Sequence, residues 1–315
     1  MAKPRTGEDI DAIQLNRNVS RTGRGVRRDL RLAHARTFLQ THSRLLERRR
    51  FDHLFEGATS ESVARALAAY QNRDGGYGHG LEPDLRTPLS QPVPVWTALW
   101  ILDEIDRFEQ RTIRPVLSYL TSIEVPGGGV PFVLRSARAS PHAPWWETGR
   151  SPPPASLNPT AGIAAALYKH RIHARWLERA SRWCWNQIAR IRTVNAYELR
   201  VVLSFLDHVP ERDRAQQEFE RLRPLILGSN AVDRESRGNG DRFHPLDFAP
   251  EPDLLSRELF SPREIGRNLD WVEKGQRADG GWTVGFPIWT PITRFEWRGV
   301  QTVEMLKLLS RNGRL

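Results

Sequence analysis

The stretch QNRDGGY at residues 71–77 returns almost unchanged as QRADGGW at residues 276–282. The offset, 276 − 71 = 205 residues, continues past the motif without a gap, since Gly80 corresponds to Gly285 and Thr97 to Thr302. A turn and a downstream helix start that recur together mark a repeated supersecondary unit. The two motifs therefore predict a fold assembled from repeated units.

Each motif combines residue types that build a tight turn. Paired glycines permit positive φ angles, and an aspartate side chain accepts hydrogen bonds from turn amides. A glutamine amide can cap a neighbouring helix end, and the final aromatic ring can pack over it. We therefore expect a structural role for six residues. They are Gln71, Asp74 and Tyr77 in the first copy, and Gln276, Asp279 and Trp282 in the second.

The remaining chain shows apolar residues at helical spacing, and strand-type alternation is almost absent. Helices are predicted at 29–49, 60–71, 93–107, 112–123, 159–170, 173–191, 194–208, 211–227, 262–275 and 298–311. Amphipathic segments alternate with segments that are apolar nearly all round, which are typical of buried helices. This alternation predicts an all-α fold with two concentric layers of helices.

The two motifs resemble the QW repeats of the terpenoid cyclase and protein prenyltransferase superfamily, as found in squalene cyclases. LTSIEVPGGGVPF at residues 120–132 resembles a third copy that has lost its Gln and Asp, and Thr160 then matches Thr97. The resemblance covers roughly residues 60–310. It implies an α/α toroid of about five to six helical hairpins around a central, aromatic-lined cavity, in which the repeats are structural.

Composition limits the class of protein to which the chain can belong. The net charge is +10, from 47 Lys and Arg against 37 Asp and Glu, and mean hydropathy is −0.54. One cysteine excludes an internal disulfide, and no apolar run approaches the roughly 18 residues of a membrane span. We expect a cytoplasmic, bacterial protein with a single domain at residues 29–315. Residues 1–28 would form a disordered basic arm.

The basic arm suggests one kind of partner. Arginine-rich arms can contact anionic lipid, so peripheral membrane contact through residues 1–28 is left open beside the expected cytoplasmic location. No nucleic-acid-binding signature is present, so no specific nucleic-acid partner is predicted. The oligomeric state is left open.

The catalytic signatures of the resembled family are missing. Squalene–hopene-type cyclases use an Asp-x-Asp-Asp acid, and the nearest string here is DEID at residues 103–106. Protein prenyltransferases hold zinc with Asp, Cys and His, and Cys184 has no such surroundings. We therefore predict no metal site and no evident cofactor, with magnesium left open because carboxylates could hold it.

One polar loop follows the first motif. HGLEPDLR at residues 79–86 places His79, Glu82, Asp84 and Arg86 before a buried helix. A carboxylic acid at a desolvated cavity mouth can serve as an acid because burial raises its pKa. We expect His79, Glu82 and Asp84 to be catalytic and Arg86 to bind substrate. The alternative is a salt-bridged loop that fixes the hairpin.

Further candidates lie elsewhere in the chain. Asp247 and Glu296 are candidate catalytic carboxylates, because each lies where its charge could reach a cavity rim. Aromatic faces stabilise cations and also stack on sugars. The candidate substrate-binding residues, besides Arg86, are Trp96, Trp145, Trp146, Trp289 and Arg298.

Three functions remain open from the sequence. The resemblance favours an enzyme, an isomerase or lyase that binds an isoprenoid or other apolar small molecule and cyclises it by acid catalysis. The second is a carbohydrate-active α/α-barrel enzyme with a carboxylate pair. The third is a non-catalytic toroid that serves as a binding module.

Overall fold

The computed structural model describes residues 7–149, 151–237 and 243–315. Within these ranges the chain forms twelve α-helices, three 3-10 turns and no strand. The all-α prediction is confirmed. The helices are α1 Gly7–His42, α2 Leu45–Glu56, α3 Ser60–Ala68, α4 Pro92–Glu104, α5 Gln110–Ser122, α6 Leu157–Lys169, α7 Arg175–Ile188, α8 Ala196–His208, α9 Arg212–Leu227, α10 Pro245–Phe248, α11 Pro262–Lys274 and α12 Pro291–Arg311.

Buried and half-buried helices alternate along the chain. Every residue of α6 from Leu157 to Leu167 is buried, and α4 is buried on most of its surface. Helix α7, in contrast, buries residues only at a helical spacing that marks one face, from Trp176 to Ile188. A helix that is apolar all round needs neighbours on every side, so α4, α6 and α8 form an inner layer.

Contacts between helices run in series from α4 to α1 and α2. Helix α4 packs on α6, α6 on α8, α8 on α10, α10 on α11, α11 on α12, and α12 on both α1 and α2. The buried guanidinium of Arg50 on α2 joins Glu104 on α4 (2.7 Å) and Glu304 on α12. These contacts, with Arg50 joining α2 to α4, are compatible with an α/α toroid.

Three turns of the ring share one backbone geometry. In each, the residue three positions before a Gly-Gly pair makes two backbone hydrogen bonds. Its N–H donates to the carbonyl of the second glycine, and its carbonyl accepts from the amide of the first glycine. In the first turn, Asn72 N donates to Gly76 O (2.9 Å) and Gly75 N to Asn72 O (3.0 Å). In the second, Val125 N donates to Gly129 O (3.0 Å) and Gly128 N to Val125 O (2.9 Å). In the third, Arg277 N donates to Gly281 O (2.9 Å) and Gly280 N to Arg277 O (2.9 Å). The degenerate segment at residues 120–132 therefore forms the same turn as the two clear copies.

Each turn also packs on the next outer helix. A Cβ on Gly75 would lie 2.1 Å from the Pro115 carbonyl of α5, and one on Gly280 would lie 2.0 Å from the His34 carbonyl of α1. Both glycines have positive φ, 89° and 94°. Only glycine meets both requirements, so the Gly-Gly pair lets the backbone of one hairpin touch the next.

The motif side chains make their contacts inside these turns. Gln276 Nε2 donates to the Gly280 carbonyl (2.9 Å) and to the Arg31 carbonyl of α1 (3.0 Å). Gln71 Nε2 likewise donates to the Gly75 carbonyl (3.2 Å). Asp74 and Asp279 accept from the second-glycine amides at 2.9 and 3.1 Å, and Tyr77 and Trp282 are buried.

Two helix starts differ from those expected. Helix α1 begins at Gly7 rather than near residue 29, so the expected arm at residues 1–28 is helical from residue 7, and residues 1–6 lie outside the described residues. Helix α12 begins at Pro291 rather than 298, because the Thr290 hydroxyl caps it by accepting from the Thr293 amide. In the described part of the chain, no helix is both long and apolar enough to cross a bilayer.

Candidate functional site

A cavity of about 210 Å³ lies among the central and C-terminal parts of the inner helices. Helix α4 contributes Trp96, Trp100 and Asp103, whose spacing places them on one helix face. Helices α6, α8, α10 and α12 contribute the rest of the wall, with the segment that follows α10. The lining residues Lys169 and Arg311 are about one-third exposed and lie at helix C-termini, so the cavity opens at that end.

The lining is strongly charged. Its carboxylates are Asp103, Asp207, Asp247, Glu251 and Glu304, and its cations are Lys169, Arg200, Lys307 and Arg311. Cations at the C-terminal ends of inner helices are favoured by the negative end of the helix dipole. Such a lining suits a polar ligand better than a hydrocarbon, because buried charges need polar partners.

Most of these charges already have partners. Lys169 lies 3.0 Å from Asp103, Arg311 lies 2.7 Å from Glu251, and Lys307 lies 2.8 Å from Glu304. Lys307 also contacts the buried Glu104 at 2.9 Å. The Lys169–Asp103 and Lys307–Glu104 pairs join α6 and α12 to α4. All these pairs together leave little charge for a ligand.

Arg200 is the exception among the lining cations. Its guanidinium carbon lies 4.3 Å from the centre of the Trp100 ring and 5.7 Å from that of Trp96. No hydrogen bond or ion pair involves its side chain in the part of the chain that the structure describes. Burial lowers the pKa of Arg200, while the charges of Asp247 and Glu304 oppose that effect. Stacked arginine is well placed for planar anions, because its guanidinium presents several donors in a fixed plane.

The tryptophan surface beside Arg200 depends on a small residue of α6. A Cβ on Gly162 of α6 would lie 2.5 Å from Trp96 Nε1. The glycine therefore gives the Trp96 indole the room it occupies, and Trp96 in turn packs against Trp100 with ring centres 4.8 Å apart. This arrangement fixes the aromatic surface on which the Arg200 guanidinium lies.

Two lining carboxylates have no lysine or arginine within ion-pair distance among the described residues. Asp207 accepts from the amide and hydroxyl of Ser256 at 2.8 and 2.9 Å. Burial raises the pKa of Asp207 to about 6, although the Ser256 hydrogen bonds oppose this. Asp247 accepts from the His244 amide at 2.7 Å through one oxygen only.

The loop predicted to be catalytic lies at the other end of the ring. Glu82 and Asp84 precede the N-terminus of α4, and Asp84 Oδ2 accepts from Trp297 Nε1 near the start of α12 (2.7 Å). Burial, and then the charge of Asp84, raise the pKa of Glu82 to about 8 against the effect of Arg44. Neither carboxylate lines the central cavity.

Arg86 and Glu296 also belong to this end. They form a two-point ion pair, with nitrogen–oxygen distances of 3.1 and 2.6 Å. This ion pair ties the loop to the start of α12. His79 is exposed, and its Nε2 lies 2.9 Å from Asn72 Oδ1.

The remaining predicted substrate-binding residues are dispersed. Trp146 is buried and stacks on Phe132 at 4.8 Å, whereas Trp145 is 44% exposed. Trp289 packs against the small apolar cluster that contains Trp146. Arg298 is held by Asp279 of the second motif at 2.9 and 2.7 Å. Of all the predicted site residues, the structure brings Trp96 and Asp247 into the central cavity.

No family model matches this sequence, and no curated protein does. The resemblance to the terpenoid cyclase superfamily therefore stays a prediction. Among the described residues, no group of three or more His, Cys, Asp or Glu side chains is arranged to hold a metal ion. The central cavity is therefore the feature of the molecule that points to a function.

Sequence reasoning missed Arg200, Trp100 and Asp207. A usable signal exists for Arg200, which precedes the apolar run VVLSFL at residues 201–206 of an inner helix. A charge on a helix that is otherwise buried needs a reason, and lining a cavity is one. Trp96 and Trp100 are four residues apart, a spacing that places both rings on one face of α4.

Proposed function

We propose that the central cavity binds a small polar molecule that carries a carboxylate or phosphate group. The observation that carries the proposal is Arg200, a largely enclosed guanidinium that lies on Trp100 and faces the cavity without an acidic partner within 4 Å in the described residues. Leaving such a charge unpaired is costly, so an anionic ligand would satisfy it.

The size of the cavity supports a small ligand. Its volume of about 210 Å³ is below the range of roughly 300–1,000 Å³ that drug-sized ligands occupy. A molecule the size of a monosaccharide fits this limit better than a long isoprenoid chain. Tryptophan rings beside charged groups are also compatible with a sugar derivative. The polar, carbohydrate-like alternative is thus better supported than the isoprenoid proposal.

A second candidate is acid catalysis on that ligand. Asp207 lines the same cavity, and its pKa of about 6 leaves a fraction of the carboxyl groups protonated near neutral pH. A carboxylic acid in that state can donate a proton to a leaving oxygen. If so, turnover falls as pH rises through about 6, and Asp207→Asn removes it while ligand binding remains.

The binding proposal is tested by thermal shift and calorimetry with D-glucuronate, glucose 6-phosphate, D-glucose and farnesyl diphosphate. We expect one or both of the sugar anions to bind, with neutral glucose weaker. Arg200→Met should weaken anion binding about 10- to 100-fold, since a hydrogen bond to a charged group contributes roughly 1.5–3 kcal/mol.

Arg214→Met is the matched control. Arg214 also lies on a tryptophan, 4.4 Å from the Trp185 ring, but outside the cavity. The Arg214→Met variant should bind the anions as the wild type does. Unchanged anion binding by Arg200→Met, or stabilisation by farnesyl diphosphate alone, would overturn the proposal.

A further inference from the structure

Asp247 is, after Arg200, the second charged side chain of the cavity lining with no ion-pair partner or second hydrogen bond among the described residues. Its Oδ2 accepts from the His244 amide, and its Oδ1 has no hydrogen bond in the described chain. The other lining carboxylates are occupied, three by lysine or arginine and Asp207 by Ser256. An ionised carboxylate only accepts hydrogen bonds, so Asp247 requires a donor.

The position of Asp247 is fixed by its surroundings. It lies on the short helix α10, between Leu246 and Phe248, which are each 2% exposed. The Leu246 amide donates to Oδ1 of the buried Asn268 on α11 at 2.9 Å. With both neighbours anchored in the core, the carboxylate is held in the cavity wall without freedom to turn away.

Arg200 and Asp247 border the same space. Both line the cavity, and no ion pair joins them within 4 Å. Among the acidic groups, Asp247 nevertheless has the largest electrostatic effect on Arg200. Two opposite charges that are close enough to interact, yet not in contact, leave a gap that a ligand can bridge.

We propose that Asp247 is the second anchor of the cavity ligand and selects polyhydroxylated acids, of which sugar acids are the chemical class. Arg200 takes the carboxylate of the ligand, and Asp247 accepts from its hydroxyl groups. This inference rests on the proposed function, because it assumes that Arg200 binds an anion. It adds that an acid without hydroxyl groups is a poor ligand.

The alternative is a structural pair in which a water molecule joins Arg200 to Asp247. Such a pair would hold α8 to α10 and would show no selectivity between acids. The two readings differ in how Asp247→Asn affects the preference for hydroxylated ligands. The asparagine retains an oxygen for the His244 amide, so the helix α10 should stay in place.

Calorimetry with D-glucuronate and cyclohexanecarboxylate provides the test, since the two acids share a six-membered ring and a carboxylate but differ in hydroxyl groups. The wild type should bind glucuronate at least tenfold more tightly. Asp247→Asn should lower affinity for glucuronate about tenfold and leave cyclohexanecarboxylate unchanged, as expected for the loss of one charged hydrogen bond. The exposed Asp253→Asn is the matched control and should change neither.

The outcomes separate the two proposals. If both acids bind equally well, or Asp247→Asn keeps the full preference for glucuronate, the role of Asp247 is overturned while anion binding at Arg200 stands. If the wild type binds neither acid nor glucose 6-phosphate, the proposed function fails and the inference falls with it. A thermal melt of each variant checks that the fold is retained.

Discussion

Glu82 should make the stability of this protein fall as the pH rises. The side chain is 8% exposed, and burial followed by the charge of Asp84 raises its pKa from 4.5 to about 8. The folded state therefore binds this proton more tightly than the unfolded state does. Its contribution to stability is complete below pH 4.5 and is lost progressively as the pH rises to about 8.

The size of the effect follows from the same values. Each pH unit between 4.5 and about 8 corresponds to about 1.4 kcal/mol, so ionisation of Glu82 lowers the free energy of unfolding by about 5 kcal/mol. Glu82→Gln has nearly the same shape and cannot ionise. We expect equal stability at pH 4.5 and a variant that is several kcal/mol more stable than the wild type at pH 8.5.

Urea denaturation followed by circular dichroism at pH 4.5, 6.5 and 8.5 measures this difference. Glu198→Gln, at an exposed position of α8, is the control and should follow the wild type at every pH. The reasoning is refuted if Glu82→Gln loses stability with pH as steeply as the wild type, or is the less stable protein at pH 8.5.

Three further changes test the ring and its cavity. Gly280→Ala should cost clearly more than Gly127→Ala in urea denaturation. Both have a φ of 94°, but only the first would bring a Cβ against another helix; equal losses would contradict close packing of the turn. Gly162→Ala should push Trp96 into the cavity, at a cost of about 1–3 kcal/mol, and weaken glucuronate binding in calorimetry; unchanged affinity would separate Trp96 from the site. Arg50→Met should lower the free energy of unfolding by about 3–5 kcal/mol, because it leaves the buried Glu104 carboxylate short of a partner; a loss below 1 kcal/mol would contradict that account.

The helices could be predicted because their signal is local. The degenerate turn at residues 125–130 shows why a copy of the motif without its Gln and Asp could still be recognised in the sequence. Val130 N donates to Thr160 Oγ1 at 3.0 Å, as Trp282 N does to Thr302 Oγ1 at 3.1 Å. A threonine of a later helix, α6 or α12, anchors the residue after the glycines in both turns, so this contact remains when the Gln and Asp are lost.

The cavity could not be predicted in the same way. Whether Arg200 faces a cavity depends on the rotation of α8, and whether it has a partner depends on Asp247 and Glu304, which lie far along the chain. The polar loop shows the same limit. Its carboxylates suggested a site beside Arg86, but Arg86 pairs with Glu296, 210 residues away, and this pair ties the loop to α12.

The last Gly-Gly turn, at residues 280–281, also bears on how the chain folds. The first turn meets Pro115, 40 residues beyond Gly75 (115 − 75), whereas the last meets His34, 246 residues before Gly280 (280 − 34). Loop-closure entropy makes that second contact about 1.6 kcal/mol more costly to form from an unfolded chain. Successive hairpins can therefore dock during synthesis on neighbours already made, and sealing of α11–α12 against α1 comes last. A circular permutant that joins residue 315 to residue 1 and is cut between two other hairpins would move this last step to the new junction.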